Sequence, residues 1–262
     1  MKHFIHTISL LIGLALCLAA APAAEPDPEA RELARKVHDR SVGDNSLAQA
    51  VMILKDADGD ERVRDMRLAA MEEDSGLRNN FIRFTSPPDI AGTGFLSLET
   101  GGGETEQFLY LPALGRTRRI VTSQKGRAFV NSDFTYEDME RRPVSDAEYA
   151  LAGTEAVGGV ECRILETRPL PRAESAYSLI RSWIPDNIYL PVKMELFNTD
   201  GEQVKTYSVA KLKRIEGIWT PLDYRMQTLE DGHTTIIRIE QIDYNTEAIS
   251  ESFFTKRSLE SW

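Results

Sequence analysis

Cysteine is scarce in this chain of 262 residues, which contains only Cys17 and Cys162. Cys17 falls within an apolar N-terminal run, so Cys162 alone remains if that run is removed as a signal peptide. An intrachain disulfide is then impossible, and the fold must be stabilised by its hydrophobic core. Histidine is also scarce, because only His38 and His233 lie beyond the same run. Nothing clusters with the spacing of a zinc site, which needs three or four ligands, and we expect no metal.

The N-terminus has the pattern of a secretory signal peptide. Residues 4–18 form an apolar run of about 15 residues, which is the length of a signal core and short for a membrane span. The small residues Ala21-Pro22-Ala23 follow and predict cleavage near Ala23. We therefore expect residues 1–23 to be removed and residues 24–262 to form one domain in the periplasm.

A lipoprotein signal that modifies Cys17 is the competing interpretation. Such a signal needs a small residue before the cysteine, but Leu16 stands there and the apolar run continues past Cys17. We therefore expect an exported protein without a lipid anchor.

Several classes of binding site lack their motifs. The net charge of −10 disfavours nucleic-acid binding, which needs a basic surface. The segment "DADGDE" (56–61) has its glycine at the fourth position of a calcium loop instead of the sixth. The segment "GTGFLS" (92–97) lacks the third glycine of a dinucleotide loop, and no Gly-x-Ser-x-Gly elbow is present. We expect neither a cofactor nor a catalytic residue.

Helical patterns are few. Residues 27–40 predict a helix, with Asp27 as its cap and Pro28 in its first turn. Further helical segments are predicted at 145–152 and, from a weaker pattern, at 134–140. No linker or repeat divides the chain.

Three Asp-Gly pairs separate strand-like runs, at residues 58–59, 200–201 and 231–232. Asp-Gly between extended runs predicts a hairpin, because both residues tolerate the positive φ of a type I′ turn. The strands at 47–54 and 107–111 are apolar on both faces, which indicates that both faces are covered. About a dozen strand candidates follow residue 45. The sequence therefore predicts a long, curved antiparallel sheet with a few helices packed on it.

Charged residues are concentrated between residues 110 and 142. Arginines fill the first half, and carboxylates interleaved with aromatic residues follow at 133–140. A pair of these carboxylates could act as acid and base on a glycoside, and a carboxylate-dependent hydrolase is the remote alternative function. A structural role for the carboxylates is the stronger interpretation.

The same region resembles a known family. The segments "LYLPALGRTRRI" (109–120) and "NSDFTYEDM" (131–139) are similar to the signature of the LolA-like outer-membrane lipoprotein-sorting proteins. The resemblance continues through "FIRFTSPPDIAGTGFL" (81–96), "SWIPDNIYLPVKMELFNTDGEQVKTYSV" (182–209) and "SESFFTKRSLE" (250–260). The resemblance is to the longer branch of that family, which is associated with RND-type exporters.

The resemblance implies a half-open antiparallel β-barrel whose covering helices enclose an apolar cavity. It also implies a carrier without enzymatic activity that binds acyl chains of lipids or lipoproteins, with an inner-membrane RND-type exporter as a possible partner. The alternative is an accessory subunit that docks onto such an exporter and carries no cargo. The oligomeric state is left open.

Two groups of residues are candidates for the site. Aromatic residues from separate strands are predicted to border the cavity, although core packing is the simpler role for each one: Phe81, Phe95, Phe108, Tyr110, Trp183 and Trp219. The charged group either forms structural ion pairs or faces an anionic head group or partner: Arg116, Arg118, Arg119, Asp133, Glu137 and Asp138. We predict pairing of Arg118 or Arg119 with these carboxylates.

Overall fold

The computed structural model describes residues 27–262, and one antiparallel sheet of thirteen strands makes up most of it. The predicted signal peptide, residues 1–23, lies outside the described residues. The strands are β1 (Asn45–Lys55), β2 (Glu61–Glu72), β3 (Arg78–Ser86), β4 (Gly94–Glu99), β5 (Thr105–Leu111), β6 (Arg116–Ile120), β7 (Ala147–Val157), β8 (Val160–Pro169), β9 (Tyr177–Ile184), β10 (Lys193–Asn198), β11 (Gln203–Ile215), β12 (Ile218–Thr228) and β13 (Thr234–Tyr244).

The sheet is an open meander of two halves. Each strand pairs with the next one along the chain from β1 to β6 and from β7 to β13, and β1 pairs with β13 to join the halves. Strands β6 and β7 are therefore the two edges. Residues from both halves line one cavity, so the sheet curls around its inner face. The predicted fold class, a half-open antiparallel barrel, is confirmed.

The three Asp-Gly pairs all form hairpin turns, as predicted, between β1 and β2, β10 and β11, and β12 and β13. The glycines Gly59, Gly201 and Gly232 have φ values of 92°, 82° and 68°. Their aspartates do not have positive φ, so the predicted type I′ geometry is wrong. In the first hairpin the Gly59 N–H donates to the Asp56 carbonyl (3.1 Å). That bond indicates a type I turn followed by a left-handed glycine, another common hairpin turn.

Two α-helices accompany the sheet in the described part of the chain, α1 (Pro28–His38) and α2 (Lys256–Ser261). Helix α1 confirms the predicted N-terminal helix, and the Asp27 carboxylate accepts hydrogen bonds from the N–H groups of Glu29 and Ala30. Between residues 27 and 262, no helix has the length and apolar character needed to cross a membrane.

The helix predicted at residues 145–152 is wrong, because most of these residues belong to strand β7. Tyr149 and Leu151 alternate with exposed neighbours and pack against α1, which is the period-two pattern of a strand. Pairing with β8 outweighs the helix propensity of the alanines and glutamate here. At residues 134–140 only a single 3-10 turn forms, Glu137–Met139.

Irregular segments cover both faces of the first half of the sheet. Residues 121–146, which we call the crossing segment, connect the edges β6 and β7 and pack Phe129, Phe134 and Tyr136 onto the inner face. Residues 245–262, including α2, pack onto the outer face. Strand β5 is therefore buried on both sides, with Leu109 facing inward and Phe108 facing outward, as its sequence predicts.

Candidate functional site

A cavity of about 670 Å³ lies between the inner face of the sheet and the crossing segment. Five of the seven methionines of the chain line it: Met52, Met66, Met139, Met194 and Met226. Methionine is flexible and polarisable, so it adapts to ligands of variable shape. The wall therefore has the chemistry of a non-selective apolar site.

Several apolar side chains keep accessible surface on this wall. Leu68, Ile180, Met194 and Ile239 are only partly buried although they belong to the inner face. Tyr207 and Tyr224 are also partly accessible, yet burial raises the pKa of Tyr207 and raises that of Tyr224 to about 12. Both observations agree if the accessible surface faces a half-open cavity instead of the outer surface.

A second, charged cavity of about 590 Å³ adjoins the apolar one beside helix α1. The two share Arg40, Asp138, Glu140 and Arg142, so they adjoin at these residues. The combined site has an apolar interior and a charged mouth.

The carboxylates of this site are held in ion pairs. The pairs are Glu72–Arg78 (2.6 Å), Glu99–Arg141 (2.5 Å), Glu140–Lys125 (2.7 Å), Asp138–Lys205 (3.4 Å) and Glu137–Arg142. Burial is the largest influence on Glu140 and raises its pKa, while Lys125 opposes the shift. Carboxylates neutralised in this way serve as structural contacts, which weakens the hydrolase alternative.

Asp133 fixes the crossing segment to the hairpin of β12 and β13. Its buried carboxylate accepts hydrogen bonds from the hydroxyl groups of Thr228 and Thr235, both at 2.6 Å. The Nδ1 atom of His233 lies 2.7 Å from the same carboxylate. The Asp133 N–H also donates to the Thr235 hydroxyl at 2.9 Å.

The next two carboxylates attach the segment to strands β9 and β11. Glu137 accepts a hydrogen bond from the Ala176 N–H (3.0 Å), just before β9. Asp138 accepts from the Tyr177 hydroxyl (3.1 Å) and pairs with Lys205. Three carboxylates thus hold the crossing segment over the cavity, in addition to the packing of Phe129, Phe134 and Tyr136 on the inner face.

A family model and several solved structures match this chain. A family model described as "uncharacterized protein" matches residues 76–261. The crystal structure of a DUF1329 family protein from Desulfovibrio piger has a TM-score of 0.83 and 27% identity, covering 89% of this chain and 99% of that one. A candidate outer membrane lipoprotein-sorting protein domain from Vibrio parahaemolyticus has a TM-score of 0.82 and 28% identity, covering 88% and 98%.

This chain belongs to the family of that model, and its fold is that of the LolA superfamily. A LolA superfamily protein from Nitrosomonas europaea shares the fold at a TM-score of 0.67 and 18% identity, covering 87% of this chain and 98% of that one. Among curated proteins, none matches the sequence.

The arginines of the LolA-like signature lie on the edge strand β6, as predicted, but the predicted ion pairs are wrong. Arg119 pairs with Glu106 of β5 at 3.0 Å. Arg118 lies beside Tyr136, where it opposes the rise in the pKa of Tyr136 that burial causes. Arg116 is exposed. The expected partners Asp133, Glu137 and Asp138 instead contact residues of the other half of the sheet, as described above.

The aromatic residues predicted to border the cavity divide between the two faces. Phe95 packs in the inner core and lines the cavity. Phe81 also borders it, but its ring packs in the outer core with Phe108 and Tyr110. On β9, the Trp183 indole N–H donates to Glu155 (2.7 Å), and Lys193 stacks on its ring. Trp183 and Trp219 lie outside the lining of both cavities. A role for any of the six in ligand binding remains a prediction.

Neither the methionines nor the residues at the cavity mouth were among the predicted site residues. Met52, Met66 and Met226 occupy inward positions on strands that alternate between the two faces, and this alternation was the available signal. The mouth residues could not be found in this way, because the loops that hold them have no periodic pattern.

Proposed function

We propose that this protein is a periplasmic carrier that binds acyl chains of lipids or lipoproteins in its apolar cavity and moves them toward the outer membrane. The cavity of about 670 Å³ is the observation that carries the proposal. Its volume falls within the roughly 300–1,000 Å³ typical of small-molecule sites. The relative from Vibrio parahaemolyticus, described as a candidate lipoprotein-sorting domain, supports the same function.

The physical requirement on such a carrier is to shield methylene groups from water. Each buried methylene contributes about 0.8 kcal/mol, so a long chain leaves a membrane only if an equally apolar site receives it. The partly exposed residues Leu68, Ile180, Met194 and Ile239 supply that surface, and the methionines of the wall can repack around chains of different shape.

The open edge of the sheet supports a carrier that loads and unloads. Strands β6 and β7 are not paired with each other, and the crossing segment bridges them. Movement of that segment would give a chain access to the cavity without breaking the pairing of the sheet.

Export and partners belong to the same proposal. The predicted signal peptide supports a periplasmic location, and an inner-membrane RND-type exporter is the proposed source or recipient of cargo. An accessory subunit without cargo would need no apolar cavity, so the cavity favours the carrier over that alternative.

Leu68 and Val63 offer a matched test on one strand. Leu68 faces the cavity and is partly exposed to it, whereas Val63 is 50% exposed outside the lining of either cavity. Leu68→Gln places a polar group in the cavity and should weaken binding of a fluorescent fatty acid about tenfold, because burying an unpaired amide costs about 1–3 kcal/mol.

Val63→Gln should leave that affinity unchanged. Fluorescence titration measures the dissociation constants, and a thermal melt of each variant verifies folding. Absence of saturable binding by the wild type would contradict the carrier proposal and favour the docking subunit.

A further inference from the structure

Arg40 occupies the junction between the apolar cavity and its charged mouth. It lies just after helix α1 and lines both spaces. Its backbone is held in place, because the Nη2 atom of Arg78 donates to the Arg40 carbonyl oxygen at 2.7 Å. A group bound to the Arg40 guanidinium would therefore lie at the entrance to the apolar interior.

Arg40 differs from the other cations around it because it lacks a carboxylate partner. The five carboxylates that line the two spaces pair with other cations, as described above. Within residues 27–262, the Arg40 guanidinium makes neither an ion pair nor a hydrogen bond, although the residue is partly buried.

The electrostatic surroundings of Arg40 favour an anion. Burial lowers the pKa of its guanidinium, and the positive charge of Arg78 lowers it further. The remaining titratable groups that influence it are Tyr244 and Tyr207, and no carboxylate is among them. An unpaired charge in a partly buried site is unfavourable, so pairing with the Arg40 guanidinium would favour the binding of an anion.

Tyr207 adds a second donor at the same place. It lines the apolar cavity, and its hydroxyl group makes no hydrogen bond with the described residues. Arginine presents its N–H groups as a planar fork that matches a carboxylate or a phosphate. Arg40 and Tyr207 together could bind two oxygens of one anionic group.

We propose that Arg40 binds the carboxylate or phosphate group of an anionic amphiphile whose acyl chain fills the apolar cavity. This inference rests on the proposed carrier function and narrows its ligand class to single molecules with a chain and an anionic head. The charge of the head group selects the ligand, and the methionine-rich wall accepts its chain.

Palmitic acid and 1-hexadecanol test the inference, because they share a chain length and differ in head-group charge. Displacement of a bound fluorescent fatty acid at pH 8, with both competitors added from ethanol at low concentration, gives both affinities. The wild type should bind palmitate at least about tenfold more tightly than hexadecanol, since hydrogen bonds to a charged group are stronger than neutral ones. Arg40→Gln should abolish this preference and leave the affinity for hexadecanol unchanged.

Two further variants serve as controls. Arg62→Gln removes an exposed arginine on β2 that lines neither cavity and should change neither affinity. Arg40→Lys keeps the charge but loses the fork, so it should retain part of the preference for palmitate. If Arg40→Gln does not fold, two results still test the inference: the wild type must prefer palmitate to hexadecanol, and Arg40→Lys must lose part of that preference.

Equal binding of both ligands by the wild type would overturn the inference while leaving the carrier proposal intact. The inference is also overturned if Arg40→Gln keeps the preference for palmitate, or if it lowers the affinities for palmitate and hexadecanol equally. Binding of neither ligand would contradict the carrier proposal itself. Inorganic phosphate should not bind measurably on its own, and Arg40-dependent binding of free phosphate would show a site for small anions instead of a lipid head group.

Discussion

At the scale of single residues, Tyr224 shows how burial beside the cavity acts on a polar group. Its ring centroid lies 5.9 Å from that of Tyr207 and 6.3 Å from that of Phe134. Burial raises the pKa of its hydroxyl from 10.0 to about 12. The folded protein therefore holds this proton more tightly than the unfolded chain does. The stability that this provides is complete below about pH 10 and is lost as the pH rises through about 12.

Tyr224→Phe should make the protein less sensitive to alkaline pH. Between pH 8 and pH 11 the wild type should lose roughly 1 kcal/mol more unfolding free energy than the variant, because the unfolded tyrosine ionises over about one pH unit in which the folded one does not. Urea denaturation at both pH values measures this difference. An equal loss in the two proteins would show that the Tyr224 hydroxyl is not desolvated as described.

At the scale of elements, the crossing segment covers the cavity without joining the sheet. Its backbone makes one isolated bridge, Ala128–Thr135, and does not join the sheet. Val130 has a φ of 46°, which is unusual for a β-branched residue, and the Arg64 guanidinium donates to its carbonyl oxygen at 2.7 Å. Side-chain contacts therefore hold the segment closed, and Asp133 makes the largest set of them.

Asp133→Ala should loosen the crossing segment without disrupting the sheet. The substitution removes the shared acceptor of Thr228 and Thr235 and should cost about 1–3 kcal/mol, because buried donors lose their partner. Hydrogen exchange followed by mass spectrometry should show faster exchange in peptides from residues 127–140 and unchanged exchange in β1 and β13.

Asp58→Ala is the control for this variant, because Asp58 is exposed in the turn between β1 and β2. It should exchange like the wild type. Unchanged exchange at residues 127–140 in Asp133→Ala would mean that Asp133 does not hold the segment.

The regular elements were predictable from the sequence because their signals are local. Asp27 caps α1 as predicted, and each Asp-Gly pair closes a hairpin. The apolar pattern of β5 correctly indicated that both faces are covered. Alternation cannot tell the inner face from the outer one, however, and Phe108 and Tyr110 were therefore placed on the wrong side.

The candidate site was less predictable because its contacts are distant in sequence. Asp133 contacts Thr235, which lies 102 positions away, and no local pattern reports that contact. Arg40 follows a helix and shows no motif, and only its position between two cavities distinguishes it. The family resemblance supplied the overall architecture, but it did not assign these residues.

At the scale of the whole molecule, the sheet and the crossing segment together form a container with a charged mouth. The two halves of the sheet meet at the pairing of β1 with β13, opposite the unpaired edges β6 and β7. A curled sheet of this kind encloses space that a flat sheet would fill with side chains from a second layer. The central claim is that this space holds an acyl chain.

Native mass spectrometry of the protein extracted from the periplasm tests that claim most directly. The spectrum should show a chain that begins near Ala24 and carries one non-covalently bound amphiphile, which collisional activation releases as an anionic lipid species. A spectrum that contains only the unliganded mass, and stays so after incubation with palmitate, would contradict the account.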